Sequence, residues 1–302
     1  MAASDPRRPL THRHFIMISR ANQHGAIGRL SSERYTARIA LHRVAKQNQK
    51  HGHTISCKMR LATWNVNKPT RIERQARLRG YLDIVAADVL VLTEAHDSFD
   101  AGYPYRHSSS PGRDDPARDT PLHRWVTIWS AFPLEPLETC DPIRTAAARA
   151  RPPGNASFVI YGTVLPWRTD QWRGHCSNGG EAFAAALDLQ TDDWVGHSES
   201  NPGEELFVLG DFNQELVYPL AFGTRTNQKA LTNSLARADL SAVTSGDADP
   251  VRLQHAQFAC VDHVCIPVRS AWQADPPTSW PKTWDRTLTD HFGSAVRLRR
   301  RV

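Results

Sequence analysis

A single α/β domain beginning near Met59 is predicted by three features of this chain. Short apolar runs of strand length alternate with amphipathic stretches of helix length. Several apolar runs stop abruptly at a carboxylate or carboxamide, and no Pro/Gly/Ser-rich linker separates two cores after Met59.

The elements follow in order. Leu61 to Val66 is a predicted strand. Thr70 to Ala87 is a predicted helix, with Leu78, Leu82 and Val85 at i, i+4 and i+7 on one face. Val89 to Thr93 is a short buried strand ending at Glu94. A polar loop with Pro and Gly (His107 to Thr120) precedes a strand over Trp125 to Trp129. Pro142, Pro152, Pro153 and several arginines predict a surface excursion from Glu138 to Gly154. Phe158 to Leu165 reads as another buried strand, closed by Pro166-Trp167. Glu181 to Trp194 carries Phe183, Leu187, Gln190 and Trp194 on one helical stripe. Leu206 to Leu209 is an apolar strand with Gly210 at its exit. A helix over Asn227 to Ala238 precedes strands at Val261 to Val268 and Gly293 to Leu298. No repeat of fixed period is present, although two similar α/β halves are compatible with the pattern.

A hydrophobic fraction of 40% and a charged fraction of 23% are ordinary for a soluble globular protein and argue against a disordered chain. No apolar run has the length of a membrane span, and no secretory signal is visible. Cys57, Cys140, Cys176, Cys260 and Cys265 lack metal-ligand spacing, so reduced thiols in a cytoplasmic protein are expected.

The net charge of +6 is unevenly placed. Residues 1–58 hold eleven Lys/Arg against two Asp/Glu, which is +9 and leaves −3 for residues 59–302. Overall basicity is therefore poor evidence for a nucleic-acid-binding face on the domain. The 1–58 segment also has six of the fourteen histidines and little apolar periodicity. It reads as a disordered leader, a transit peptide or a basic arm that touches phosphates, with His51-Gly52-His53 a solvated pair. The favoured expectation is that translation begins at Met59, because Met59-Arg60-Leu61-Ala62-Thr63-Trp64 opens directly into a strand.

The chemistry collects at strand ends, where rigid elements support exposed polar groups. Asn65 and Asn67 end the first strand, and Glu94 the second. Asp211 and Asn213 follow Gly210. Two apart on an extended segment, they lean to one side and converge, although an Asx turn after a strand has the same residues. A lone carboxylate such as Glu94 suits Mg²⁺, which wants oxygen ligands at about 2.0–2.1 Å and retains waters. Asp262 and His291 are candidates for a carboxylate–imidazole pair, in which the carboxylate fixes the tautomer and raises the basicity of the other nitrogen. His263, next to Asp262 on a strand, is expected to face the opposite way. Asp290 stands beside His291.

Thr63-Trp64-Asn65-Val66-Asn67, Leu92-Thr93-Glu94, Gly210-Asp211-Phe212-Asn213, Val261-Asp262-His263 and Thr289-Asp290-His291 together resemble the endonuclease/exonuclease/phosphatase superfamily, the group of exonuclease III and DNase I. The resemblance runs from Met59 to about Leu298. It implies a DNase I-like four-layer α/β/β/α sandwich and hydrolysis of phosphate esters with Mg²⁺ or Mn²⁺. By motif, Glu94 is the main metal ligand, with Asn65 and Asp290 nearby. Asp211 aligns or deprotonates the attacking water, Asn213 holds phosphate or water, and Asp262 orients His291 toward the scissile phosphate.

Two departures stand out. Asn67 occupies a position where family members commonly have Asp, which removes a negative charge near the metal. Val164 replaces a phosphate-clamping His or Tyr, so that clamp is lost or supplied elsewhere. Asn67 and Trp167 remain candidate substrate contacts, the tryptophan as a stacking platform or as rim packing. Nucleic acid is the leading expected substrate, supported by the arginine-rich stretch Arg144 to Arg151. A small or lipid-linked phosphate ester is the alternative, and a catalytically silent binding protein on the same fold a third. A monomer is expected.

Overall fold

The computed structural model describes residues 58–111, 121–167, 170, 172–173, 180–217 and 219–301. The expectations for the basic leader, including an initiating Met59, concern a segment that lies outside the described residues.

Two parallel β-α-β units form the centres of two sheets. In the first, β1 (Lys58–Asn65) and β2 (Val89–His96) are joined by α1 (Ile72–Val85), and the register sets Asn65 beside Thr93. In the second, β7 (Phe158–Val164) and β8 (Glu205–Asp211) are joined through α2 (Glu181–Ser200), with Val164 beside Asp211. Antiparallel strands extend both centres. β3 (Tyr105–Ser108), β4 (His123–Ser130), β11 (Trp272–Ala274), β12 (Thr278–Trp280) and β13 (Gly293–Arg300) complete the first sheet, in the order β11-β13-β1-β2-β4-β3 with β12 also on β13. β5 (Leu134–Leu137), β6 (Thr145–Ala150), β9 (Leu240–Ala242) and β10 (Asp262–Pro267) complete the second, ordered β5-β6-β7-β8-β10-β9.

The apolar runs are continuous because both faces of each central strand are covered. In β2, Val89 and Val91 enter the core between the sheets with Leu61, Phe207 and Leu209. Leu90 and Leu92 point the other way and pack with Trp64, Leu78 and Leu82 beneath α1. Across the second sheet, Val159 and Val208 meet Phe183, Leu187 and Trp194 of α2 and Leu231 and Leu235 of α3 (Arg225–Arg237). The layers are therefore helix, sheet, sheet, helix, as the resemblance implies. The α2 stripe is buried along its length, Gln190 included.

One expectation fails. The stretch from Glu138 to Gly154 is not a surface excursion, because β6 runs through it between β5 and β7. Ala146, Ala148 and Ala150 lie in the core between the sheets. Small residues suffice there because the facing sheet supplies the bulk, so the strand lacks the aliphatic signature that periodicity detects. The arginines of this stretch are also already engaged. Arg144 is buried and 3.1 Å from Asp170, while Arg149 bonds Glu135 and Glu204, and Arg151 bonds Glu135. They present no free cationic face, and that support for nucleic acid is withdrawn. The loop expected from His107 likewise begins later, since β3 extends to Ser108.

Gly210 shows how closely the central strands approach. Its φ is +147°, and a Cβ placed there would stand 2.0 Å from the Thr163 carbonyl oxygen. That oxygen belongs to backbone inside a paired strand and has no room to retreat. Gly210→Ala is expected to destabilise the fold by about 3 kcal/mol or more, read as a lower urea midpoint with an unchanged slope.

Candidate active site

Parallel pairing brings the C-terminal ends of β1, β2, β7 and β8 into play, and the antiparallel neighbours add the N-terminal ends of β10 and β13. Asn65 is the bridge. Its buried carboxamide nitrogen donates to Glu94 Oε1 at 3.1 Å on its own sheet and to Asp211 Oδ2 at 3.0 Å on the other. Its oxygen accepts the Asn67 amide hydrogen at 2.9 Å, and Asn67 Nδ2 donates to Asp290 Oδ1 at 3.0 Å. Asn65 therefore faces both carboxylates with its nitrogen and touches neighbouring backbone with its oxygen.

Asp211 sits opposite Asp262 in the β8–β10 register. His291 Nδ1 lies 2.7 Å from Asp262 Oδ2, and its Nε2 is 3.9 Å from Asp211 Oδ2. Asn213 donates its backbone N–H to Asp211 Oδ1 at 2.9 Å and its side-chain amide to Asp211 Oδ2 at 3.2 Å. The Asx turn and the convergence are thus both present. A further bond from Asn213 Nδ2 to the Leu165 carbonyl (3.0 Å) ties the turn to the end of β7. His263 faces away, as expected, with its ring between the Gln214 carbonyl (3.0 Å) and the Thr244 hydroxyl (3.2 Å).

The electrostatics follow from burial. Desolvation pushes the Asp211 carboxyl up to about 7, against the pull of His291 and with the help of Asp262. Burial alone would lower the His291 imidazole, but Asp262 and then Asp211 outweigh it and hold the ring well above its ordinary value. At neutral pH the arrangement offers a charged imidazolium beside a carboxyl poised to give or take a proton.

Sequence patterning did not single out the residues that brace this site. Arg74 on α1 donates to the carbonyls of Val66 (2.6 Å), Asn67 (2.9 Å) and Leu288 (2.6 Å), which pins the turn after β1 to the loop carrying Asp290. Thr289 Oγ1 donates to the Asn65 carbonyl at 2.8 Å, and Trp64 Nε1 to the His291 carbonyl at 3.2 Å. Lys68 Nζ stands 3.5 Å from Glu94 Oε2. Thr289 and Trp64 had a signal, their places in the quoted motifs beside Asp290 and Asn65, whereas Arg74 and Lys68 had none. Among the described residues seven non-glycines have left-handed backbone, and Asn67, Lys68, Glu94 and Asn213 at these strand ends are four of them. Such strain persists where surrounding contacts over-determine it.

The donor set fits a hard divalent cation. Glu94, Asp290, Asp211 and Asp262 concentrate carboxylate oxygen around two nitrogen cations, Lys68 and His291. Glu94 is 22% exposed in its side chain, so one face is open to solvent and substrate, as a sparse Mg²⁺ site requires. The ligand atoms of Asp211, Asp262 and His291 also fall within 4.8 Å of one another, close enough for an ion. Trp167 follows two residues after Leu165, whose carbonyl accepts from Asn213, and is 40% exposed.

A two-sheet sandwich of the DNase I-like class, with its polar residues gathered at the ends of the central strands, is what fold and site together define. The sequence profile of the Endonuclease/Exonuclease/phosphatase family matches residues 62–294, and the chain belongs to that family. Members are generally phosphoester hydrolases. No curated protein matches the chain by sequence. Among solved structures, an endonuclease/exonuclease/phosphatase from Beutenbergia cavernae superposes with TM-score 0.58 at 17% identity, over 80% of this chain and 72% of that one. The catalytic domain of human Nocturnin, solved with a bound sulfate anion, gives 0.56 at 13% identity, over 81% and 95%. Truncated TDP2 from Caenorhabditis elegans gives 0.55 at 14%, over 80% and 98%. At these identities the likeness is one of fold. No helix among the described residues is long and apolar enough to cross a membrane.

Proposed function

We propose that this protein is a divalent-metal-dependent phosphoesterase that cleaves phosphodiester bonds in nucleic acid. The observation that carries the reading is the chain of contacts from Glu94 through Asn65 to Asp211, with His291 held by Asp262 on the far side. Glu94 is the main metal ligand, assisted by Asp290, while Asn65, expected beside the metal, turns its carboxamide nitrogen to Glu94 and Asp211 and so positions the carboxylates instead of ligating. When bound, Mg²⁺ or Mn²⁺ would polarise a phosphoryl oxygen and offset the charge that develops there.

The remaining work belongs to the chain. Asp211, with a carboxyl near neutrality, aligns the attacking water and accepts its proton. His291, charged through its two carboxylate neighbours, donates to a phosphate oxygen as charge builds. Asp262 fixes the ring by accepting from Nδ1, and Asn213, whose amide hydrogens go to Leu165 and Asp211, keeps its Oδ1 to accept from the attacking water. Asn67, where the family commonly has Asp, tethers Asp290 instead of adding charge.

The exposed Trp167, two residues past the Leu165 that Asn213 bonds, supports a substrate with a base or sugar face to stack on. A small phosphate ester is the second reading, supported by the slight acidity of residues 59–302 and by the ion-paired arginines Arg144, Arg149 and Arg151 in and beside β6. A panel with Mg²⁺ or Mn²⁺ separates them. It includes single- and double-stranded DNA, abasic DNA, RNA, sugar and inositol phosphates, and a sphingomyelin-type diester. Turnover of the small esters alone would overturn the nucleic-acid assignment. Silence on every arm would overturn both readings and leave the binding protein.

A further inference from the structure

Lys68 follows Asn67 immediately and carries a cation into the one part of the site where the reading above needs a divalent one. Its ammonium is 3.5 Å from Glu94 Oε2 and 5.4 Å from the centroid of the Trp125 ring, with the lysine side chain 34% exposed. Trp125 stands in β4 between Arg124 and Val126, whose partners in β2 are Ala95 and Thr93, so it faces Glu94 across the strand pair. Arg144 lies over the same ring at 4.3 Å and is held by Asp170. Among the described residues Lys68 pairs with Glu94 alone.

The surroundings are electropositive. His123, beside Trp125, is pushed down to about 3 by burial first and then by Lys68, His96, Arg124 and Arg144. Arg124 is matched by Asp97 and Arg144 by Asp170, which leaves Glu94 as the counter-ion of Lys68. A divalent cation and Lys68 therefore compete for one carboxylate. Once that carboxylate is taken, the ammonium on its flexible four-carbon stem has lost its counter-ion beside the metal, and an anionic phosphate is the group that replaces it. Val164, in the position of the family's clamp, has no donor to hold that phosphate.

We propose that Lys68 is a phosphate-binding residue of this site, held over Glu94 until a divalent cation displaces it, so that metal and phosphate bind cooperatively. The proposal rests on the phosphoesterase reading.

The test is calorimetric titration of Mn²⁺ into the metal-free protein, with and without millimolar sulfate as a phosphate mimic, which requires no turnover. Lys68→Met is expected to bind Mn²⁺ about three- to tenfold more tightly without sulfate, the range for a partly exposed ion pair. It is also expected to lose the tightening that sulfate confers on the wild type, which Lys68→Arg retains. Equal Mn²⁺ affinity in wild type and Lys68→Met, or equal tightening by sulfate, overturns the role of Lys68 alone. Lys68→Arg behaving as Lys68→Met also overturns it, because charge is then irrelevant. Absence of Mn²⁺ binding in every variant overturns the metal site and this proposal together.

Discussion

Asp211→Asn is expected to lower phosphoester hydrolysis by a factor on the order of a hundred or more while leaving the protein folded. The carboxylate is the meeting point of Asn65 Nδ2, Asn213 Nδ2 and, at 3.9 Å, His291 Nε2. A carboxamide keeps the shape but has one acceptor oxygen and no basicity. The same substitution has a signature in stability that a merely structural residue would not produce. Burial raises the folded-state pKa of Asp211 to about 7, well above the ordinary carboxylate value. Its ionisation therefore costs the folded state progressively as pH rises from about 4 through 7. His291, also raised, adds to the decline in the same direction, and loses part of its shift when Asp211 is neutral. The stability of the metal-free variant relative to wild type should increase from pH 4 to pH 8. Parallel pH profiles of the two melting temperatures would refute the assignment of Asp211 as a buried, raised carboxyl.

Glu94→Gln is expected to weaken Mn²⁺ binding by about a hundredfold and to reduce activity in proportion at limiting metal. Glu94 is the half-open carboxylate of the site, and an amide in its place offers one neutral oxygen. Excess Mn²⁺ should restore part of the rate, whereas it should not rescue Asp211→Asn. An unchanged Mn²⁺ isotherm would move the ion from Glu94 to the cluster of Asp211, Asp262 and His291, whose ligand atoms are also close enough to hold one. The two substitutions thus separate metal capture from proton handling.

Much of this was legible before the structure. Leu78 and Leu82 at helical spacing, and alternate residues of β2 turned to opposite layers, are local patterns that depend on neighbours a few positions away. The end of β8 was legible for the same reason, since Gly210 and the Asx turn at Asp211 act within three residues. β6 was not legible, because Ala146 and Ala148 are buried by a sheet distant in sequence and carry no periodic signal of their own. Edge strands such as β9 and β11 are three residues long and exist by pairing with β10 and β13. Nor did spacing reveal Lys68 or Arg74, whose partners lie on another strand and another loop.

The sequence by itself determined the class of fold, the family and the residues at the strand ends, since short motifs and periodicity are properties of contiguous chain. Tertiary structure decided the partnerships. Asn67 takes Asp290, which leaves the His291 ring to Asp262, the partner 29 residues away that the motifs had already offered. Asn65 reaches across 146 residues to join the two sheets at Asp211. Lys68 turns onto Glu94 and Trp125 rather than into solvent. These pairings arise where two sheets pack face to face and bring strand ends together; burial then raises the Asp211 carboxyl, and the neighbouring carboxylates raise His291 against burial.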